Sequence, residues 1–185
     1  MMTYEIDIAG MKRDLPLCKI SDDTYIGAFV IFGDVELTVH CATELLKRAP
    51  EYDYIIAPEA KAIPLLYEMA RQSGAEKYFL ARKGSKAYMT GVFEVEVRSI
   101  TTMHVQKLVI DTADAEMIKG KRILIIDDVI STGESLKAME TLVEKAGGII
   151  AGKMAILAEG DAAGRDDIIT LAPLPLFGAD GKPKA

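Results

Sequence analysis

Several short apolar runs, each closed by a break in pattern, set the frame of the chain. Ile123 to Ile126 is wholly apolar, as a strand covered on both faces of a parallel sheet must be. Residues 53–57, 77–81 and 149–157 have a similar texture and read as further strands. Between them the apolar spacing lengthens to that of helices. Val35, Val39, Ala42, Leu46 and Ala49 follow an Asp34 cap and stop at Pro50; Leu65, Leu66, Met69 and Ala70 follow Pro64 and stop at Gly74. Leu136, Met139, Leu142, Val143 and Ala146 mark a third helix, stopped by Gly147. A shorter helical segment is expected over 115–119.

Other stretches have a different period. Residues 92–97, V-F-E-V-E-V, alternate strictly, and 105–110 do so less cleanly. Together they predict two half-exposed antiparallel strands joined by Arg98 to His104, with Glu94 and Glu96 on one solvent-facing side. Residues 168–176, broken by Pro173 and Pro175, suit an edge strand. Residues 1–32 are mixed, with irregular chain expected around Pro16, and read as a flap over the main sheet. Residues 178–185 are polar and expected to fray. The alternation of strand and helix predicts an α/β fold: a mostly parallel twisted sheet with helices on both faces, a flexible antiparallel ribbon over about 84–107, and a hood or flap from 1–32 and about 159–185. A length of 185 residues fits a single domain.

Composition narrows the partners. The net charge of −6 supplies no basic field for nucleic acid. No apolar run approaches the roughly 20 residues of a membrane span, and Glu5, Asp7 and Asp14 are foreign to a signal peptide. Cys18 and Cys41 lack metal-ligand spacing and read as free thiols of a reducing compartment, hence a cytoplasmic location.

The chemistry gathers after the strands. Asp127 and Asp128 stand where the Ile123–Ile126 strand is expected to end, and Ser131, Thr132 and Gly133 then turn into a helix. Such a turn offers backbone N–H groups and hydroxyls to a phosphate dianion. The paired carboxylates can accept from vicinal hydroxyls or hold a hydrated Mg²⁺. A phosphate site beside a diol site suits a ribose 5-phosphate. Two further breaks, Glu59-Ala60-Lys61-Ala62 after Pro58 and Arg82-Lys83-Gly84-Ser85-Lys86, offer backbone and cations to another anion at the same carboxyl edge of the sheet. His40 has no partner at helical spacing and reads as an ordinary histidine.

The stretch R-I-L-I-I-D-D-V-I-S-T-G-E-S resembles the phosphoribosyl pyrophosphate (PRPP) motif of type I phosphoribosyltransferases, and weaker likeness extends over most of the chain. The resemblance implies a purine-branch enzyme that makes a nucleoside 5′-monophosphate and pyrophosphate, working with Mg²⁺ as a homodimer. It places Ile130, Ser131, Thr132, Gly133, Glu134 and Ser135 on the 5-phosphate. Asp127 and Asp128 fall on the ribose hydroxyls and, through water, on the metal. Glu59, Ala60, Lys61, Arg82, Lys83 and Lys86 fall on the pyrophosphate. Ser99, Thr101 and Thr102 are the ribbon's contacts, and Val129 and Glu159 the candidates to meet the base. Ala62 departs from a glycine usual in adenine-type members. Arg98-Ser99-Ile100 replaces the Glu-Tyr-Gly of their ribbon, so His104 is the remaining candidate acid. The tract E-G-D-A-A-G-R-D-D resembles xanthine phosphoribosyltransferases and a purine repressor's PRPP-sensing domain. Its strand end lacks the lysine that 6-oxopurine enzymes offer a ring oxygen, which favours adenine. Phe29, Phe32 and Phe177 are candidates to stack on a base. A xanthine- or hypoxanthine-type phosphoribosyltransferase is the alternative within the family, a PRPP sensor without catalysis is the alternative in a different class, and PRPP synthesis lacks an ATP-binding segment.

Overall fold

A computed structural model describes residues 2–98 and 105–184. The chain begins with β1 (Thr3–Ile8), β2 (Met11–Lys19) and β3 (Tyr25–Gly27), then α1 (Val35–Leu46), β4 (Tyr54–Pro58), α2 (Ile63–Ser73) and β5 (Phe79–Ala81). The ribbon strands β6 (Val92–Arg98) and β7 (Val105–Asp111) lead through α3 (Thr112–Ile118) to β8 (Arg122–Ile130) and α4 (Glu134–Lys145). β9 (Ile149–Glu159), a 3₁₀ turn over Gly160–Gly164 and β10 (Ile169–Leu174) complete it.

The central sheet has five parallel strands in the order β10-β9-β8-β4-β5. Its strands are covered on both faces, as their unbroken apolar runs require. Leu124 and Ile126 point with Ile55 and Ala57 into a core shared with α1, α2 and the N-terminal strands. Ile123 and Ile125 point with Ile56 into a core shared with α3, α4 and the ribbon. Ile123 to Ile126 are each at most 1% exposed, and a side chain so buried contributes about 1.5–3 kcal/mol. The ribbon is an antiparallel pair in which Glu94 and Glu96 are exposed and Val95 is buried. β10 lies at the sheet edge, where Pro173 is tolerated. Gly74 closes α2 at φ +70°, donating to the carbonyls of Ala70 and Arg71.

Four expectations need correction. α1 ends at Leu46 rather than Ala49. Residues 11–19 are not irregular: Pro16 lies inside β2, the middle strand of a small antiparallel sheet β1-β2-β3. It fits because Leu17 N donates to Met2 O, which turns Pro16 N away from β1. On its other side Ala28 N donates to Pro16 O at 2.8 Å, and the return bond that a proline cannot give falls just past the end of the short β3 pairing, which starts at Leu17. The tail does not fray through Lys184. Phe177 bridges to Tyr25 and Pro183, and Lys184 N donates to Leu176 O. Finally, β8 continues four residues beyond Ile126, through both acids. Phe29 and Phe177 are core residues at 5% and 0% exposure, Phe177 packing on Tyr4, whereas Phe32 is exposed.

The helix starts differ. Asp34 caps α1, its Oδ1 accepting from Leu37 N at 3.0 Å, and Arg13 grips the same carboxylate through Nε and Nη2 at 2.7 and 3.1 Å. α4 begins at Gly133 with no side-chain cap. His40 Nε2 sits 3.0 Å from Ala9 O, a structural contact.

Candidate active site

The acids of β8 face open space because a neighbouring strand ends. β4 pairs with β8 only through Ile56 and Ile125, whereas β9 stays paired with β8 to Ile130. Beyond Pro58 the chain leaves the sheet as the Glu59–Ala62 loop. A crevice therefore opens beside Asp127 and Asp128 at the carboxyl edge, where open α/β sheets take ligands. A cavity of about 620 Å³ occupies it, lined by Pro58, Glu59, Ala60, Lys61, Lys83, Lys107, Leu108, Asp127, Asp128, Val129 and Ser135.

The carboxylates are short of partners. Asp128 is 4% exposed. Lys61 Nζ lies 3.1 Å from its Oδ2, at an angle that forms no hydrogen bond, so a buried acceptor stays unused. Asp127 Oδ1 accepts from Asp128 N at 2.8 Å. Burial first, then the charge of Asp128, push the Asp127 carboxyl well above the usual carboxylate range. Both groups gain from a cation or from hydroxyl donors placed between them. Among the described residues no group of three or more His, Cys, Asp or Glu side chains gathers to hold a metal. The two acids instead suit an ion that keeps water and takes further oxygens from a ligand, as Mg²⁺ does.

The two anion loops are built differently. The Glu59–Ala60 peptide is cis. The Glu59 carboxylate is already engaged, accepting from Arg82 Nη1 at 3.1 Å and from Lys83 N at 3.3 Å, and so ties the two post-strand loops together. Arg82 leans on the Tyr88 ring, 5.5 Å from its centroid, and lines a separate hollow with Tyr78 and Met89. Lys83 borders the main cavity, but Arg82 and Lys86 do not. The turn after β8 is open by contrast. Ser131 and Thr132 are exposed, and Gly133 takes φ +80°. Thr132 Oγ1 accepts from Glu134 N at 3.4 Å. The first N–H groups of α4 have no carboxylate cap of their own.

Of the other candidates, Ile130 is buried beneath the turn at 2% exposure. Val129 and Ser135 border the cavity; Glu159 ends β9 outside the lining. Ser99, Thr101, Thr102 and His104 lie outside the described residues. Sequence reasoning missed Pro58, Leu108 and Lys107. Lys107 enters the lining from β7 with its Nζ held 2.7 Å from Glu94 Oε2. A lone cation inside the weakly alternating run V-Q-K-L-V-I was its only signal.

Comparison with known proteins agrees with this geometry. Residues 39–170 match the Phosphoribosyl transferase domain family. An adenine phosphoribosyltransferase of Acetivibrio thermocellus is 26% identical, over 80% of this chain and 84% of its own. An orotate phosphoribosyltransferase of Caldanaerobacter subterraneus is 28% identical over 75% of this chain, which spans 63% of that enzyme's length. The crystal structure of an adenine phosphoribosyltransferase from Thermoanaerobacter pseudethanolicus shares the fold, with a TM-score of 0.65 at 24% identity, covering 93% of this chain and 95% of its own.

Proposed function

Because the chain belongs to the Phosphoribosyl transferase domain family, we propose that it transfers the phosphoribosyl group of PRPP to a purine, adenine first, releasing pyrophosphate. The observation that carries this is the crevice itself. Two under-partnered carboxylates, an uncapped hydroxyl turn and the Glu59–Ala62 loop adjoin one sheet-edge opening. Ser131 to Ser135 receive the 5-phosphate, with Ile130 as the floor of the turn. Asp127 and Asp128 accept from the ribose hydroxyls and stabilise the cation-like ribose centre. Lys61, Lys83 and the Ala60 backbone face the pyrophosphate. Glu59 holds the loops through Arg82 and Lys83. Asp127 and Asp128 would also hold Mg²⁺ through water; the ion supplies charge neutralisation of the leaving pyrophosphate.

Adenine is favoured by relatives such as the Acetivibrio enzyme. A second reading rests on Lys107. A cation in the cavity lining suits a ring oxygen or carboxylate, as on a 6-oxopurine or on orotate. Assembly as a homodimer is supported by Val30, Phe32, Val35 and Val39, large apolar side chains exposed along the start of α1 and the segment before it. A cytoplasmic location is supported by the unpaired thiols of Cys18 and Cys41. No helix among the described residues is long and apolar enough to cross a membrane.

The deciding experiment is pyrophosphate release from PRPP and Mg²⁺ with adenine, hypoxanthine, guanine, xanthine and orotate in parallel. Turnover with adenine supports the first reading, and turnover only with an oxo base the second. PRPP binding without turnover on any base identifies a sensor. In the active case, Asp128→Asn lowers kcat/KM at least about 100-fold, the cost of removing one preorganised charge from such a site.

A further inference from the structure

The hydroxyl turn has a neighbour that the phosphoribosyl reading leaves unused. Arg165 follows the Gly160–Gly164 turn at the end of β9. A Cβ built on Gly133 would lie 2.7 Å from Arg165 Nη1, so the guanidinium rests against the backbone where α4 begins. It is held from behind. Arg165 Nε donates to Asp167 Oδ1 at 2.8 Å and Nη2 to Asp167 Oδ2 at 2.8 Å. Asp167 also receives Lys153, whose Nζ reaches Glu140 Oε1 on α4 at 2.8 Å. One edge of the guanidinium is thus locked. Nη1, on the other edge, makes no hydrogen bond to any described residue.

The electrostatics of the turn give that free donor a purpose. A phosphate dianion at the start of α4 meets N–H groups and hydroxyls that carry no net charge. A cation is needed to offset the charge of the dianion, and an arginine stays protonated throughout the working range. The start of α1 shows the same elements completed within the chain: helix N-terminus, carboxylate and arginine fork. At α4 the helix and the arginine are present and the anion is left for a ligand.

We propose that Arg165 is a phosphate-binding residue whose Nη1 donates to the 5-phosphate of the bound sugar phosphate, with Asp167, Lys153 and Glu140 as its positioning residues. This rests on the phosphoribosyl reading of the turn, and the test separates the two. Calorimetric titration measures ribose 5-phosphate and, separately, magnesium pyrophosphate against wild type, Arg165→Gln, Arg165→Lys and Asp167→Asn, with thermal unfolding as the fold control. Arg165→Gln is expected to weaken ribose 5-phosphate about 10- to 100-fold, the range for a lost charge-assisted hydrogen bond, and to leave pyrophosphate unchanged. Arg165→Lys recovers part of the loss, and Asp167→Asn gives a smaller loss of the same kind. Equal affinity of wild type and Arg165→Gln for ribose 5-phosphate overturns the proposal. So does a parallel loss of both ligands, which marks a structural role. Should the glutamine variant fail to fold, Arg165→Lys decides alone: a loss confined to ribose 5-phosphate supports the proposal, and none overturns it. Wild-type protein that binds neither ligand overturns the phosphoribosyl reading itself.

Discussion

Helices α1 and α4 are both 12 residues long, pack on opposite faces of one sheet, and begin in opposite ways. α1 carries its own anion. Asp34 accepts from Leu37 N, is gripped by Arg13, and has its carboxyl held below the usual range by that guanidinium. α4 starts at a glycine in the left-handed region, with no capping side chain and an arginine close against it. α3 is likewise capped by Asp111, and α2, which has no side-chain cap, carries Pro64 in its first turn and so has one donor fewer; the open start of α4 has neither device. The same physics that makes the start of α1 a structural joint makes the start of α4 a receptor. What separates them is whether the anion is built in.

The comparison can be broken most severely by giving α4 a built-in anion. Gly133→Asp places a carboxylate beside Arg165, and affinity for ribose 5-phosphate should fall at least about 100-fold by calorimetry, since like charge and occupied donors both oppose the ligand. Aspartate at φ +80° costs about 1–2 kcal/mol, and its Cβ must push Arg165 Nη1 aside from 2.7 Å, so Gly133→Ala is the control for that displacement and should lose less affinity. The converse change, Asp34→Ala, removes the anion from α1. It should cost about 1–2 kcal/mol and lower Tm by about 2–8 °C, with ribose 5-phosphate affinity unaltered. A milder probe is inorganic phosphate. At tenfold excess over its Kd it should add about 1.4 kcal/mol of stability to wild type and to Asp34→Ala alike, but not to Gly133→Asp. The smallest effect is in acid. The folded Asp34 carboxyl is depressed, so its contribution is fully present above the unfolded value of about 3.9 and is lost as pH falls through the lower folded value. Urea unfolding of wild type and Asp34→Ala should differ at pH 6, and the difference should shrink as the pH is lowered below the unfolded value.

Much of this was legible in the residues, because it is local. The apolar run Ile123–Ile126, the alternation of residues 92–97, the Asp34 cap and the Gly74 stop each declare an element through spacing or a single backbone preference. The turn Ser131-Thr132-Gly133 likewise announces an anion site on its own. What stayed hidden depends on partners distant in sequence. The acids were expected at a strand end. They stand inside a longer strand and border a crevice because β4 stops, a fact written 69 residues upstream. Pro16 argues against a strand until its missing donor is seen to fall just past the end of the short β3 pairing. Arg82 reads as a free cation until Glu59 and Tyr88 are found to hold it. Lys107 and Arg165 carry no local motif at all and matter through what the fold sets beside them.

The parallel pairing of β4 with β8 also has a kinetic consequence. Asp53 and Arg122, 69 residues apart, are stitched together at the start of that pairing, Arg122 N donating to Asp53 Oδ2 at 2.7 Å. The hairpin β1–β2 and the ribbon β6–β7 close short loops and can form early, but strands so far apart pair late because a long loop must be closed first. The crevice has no existence until they do. A ligand that needs both the Glu59 loop and the paired aspartates therefore reports completion of the whole sheet, and during refolding its binding signal should lag the recovery of secondary structure.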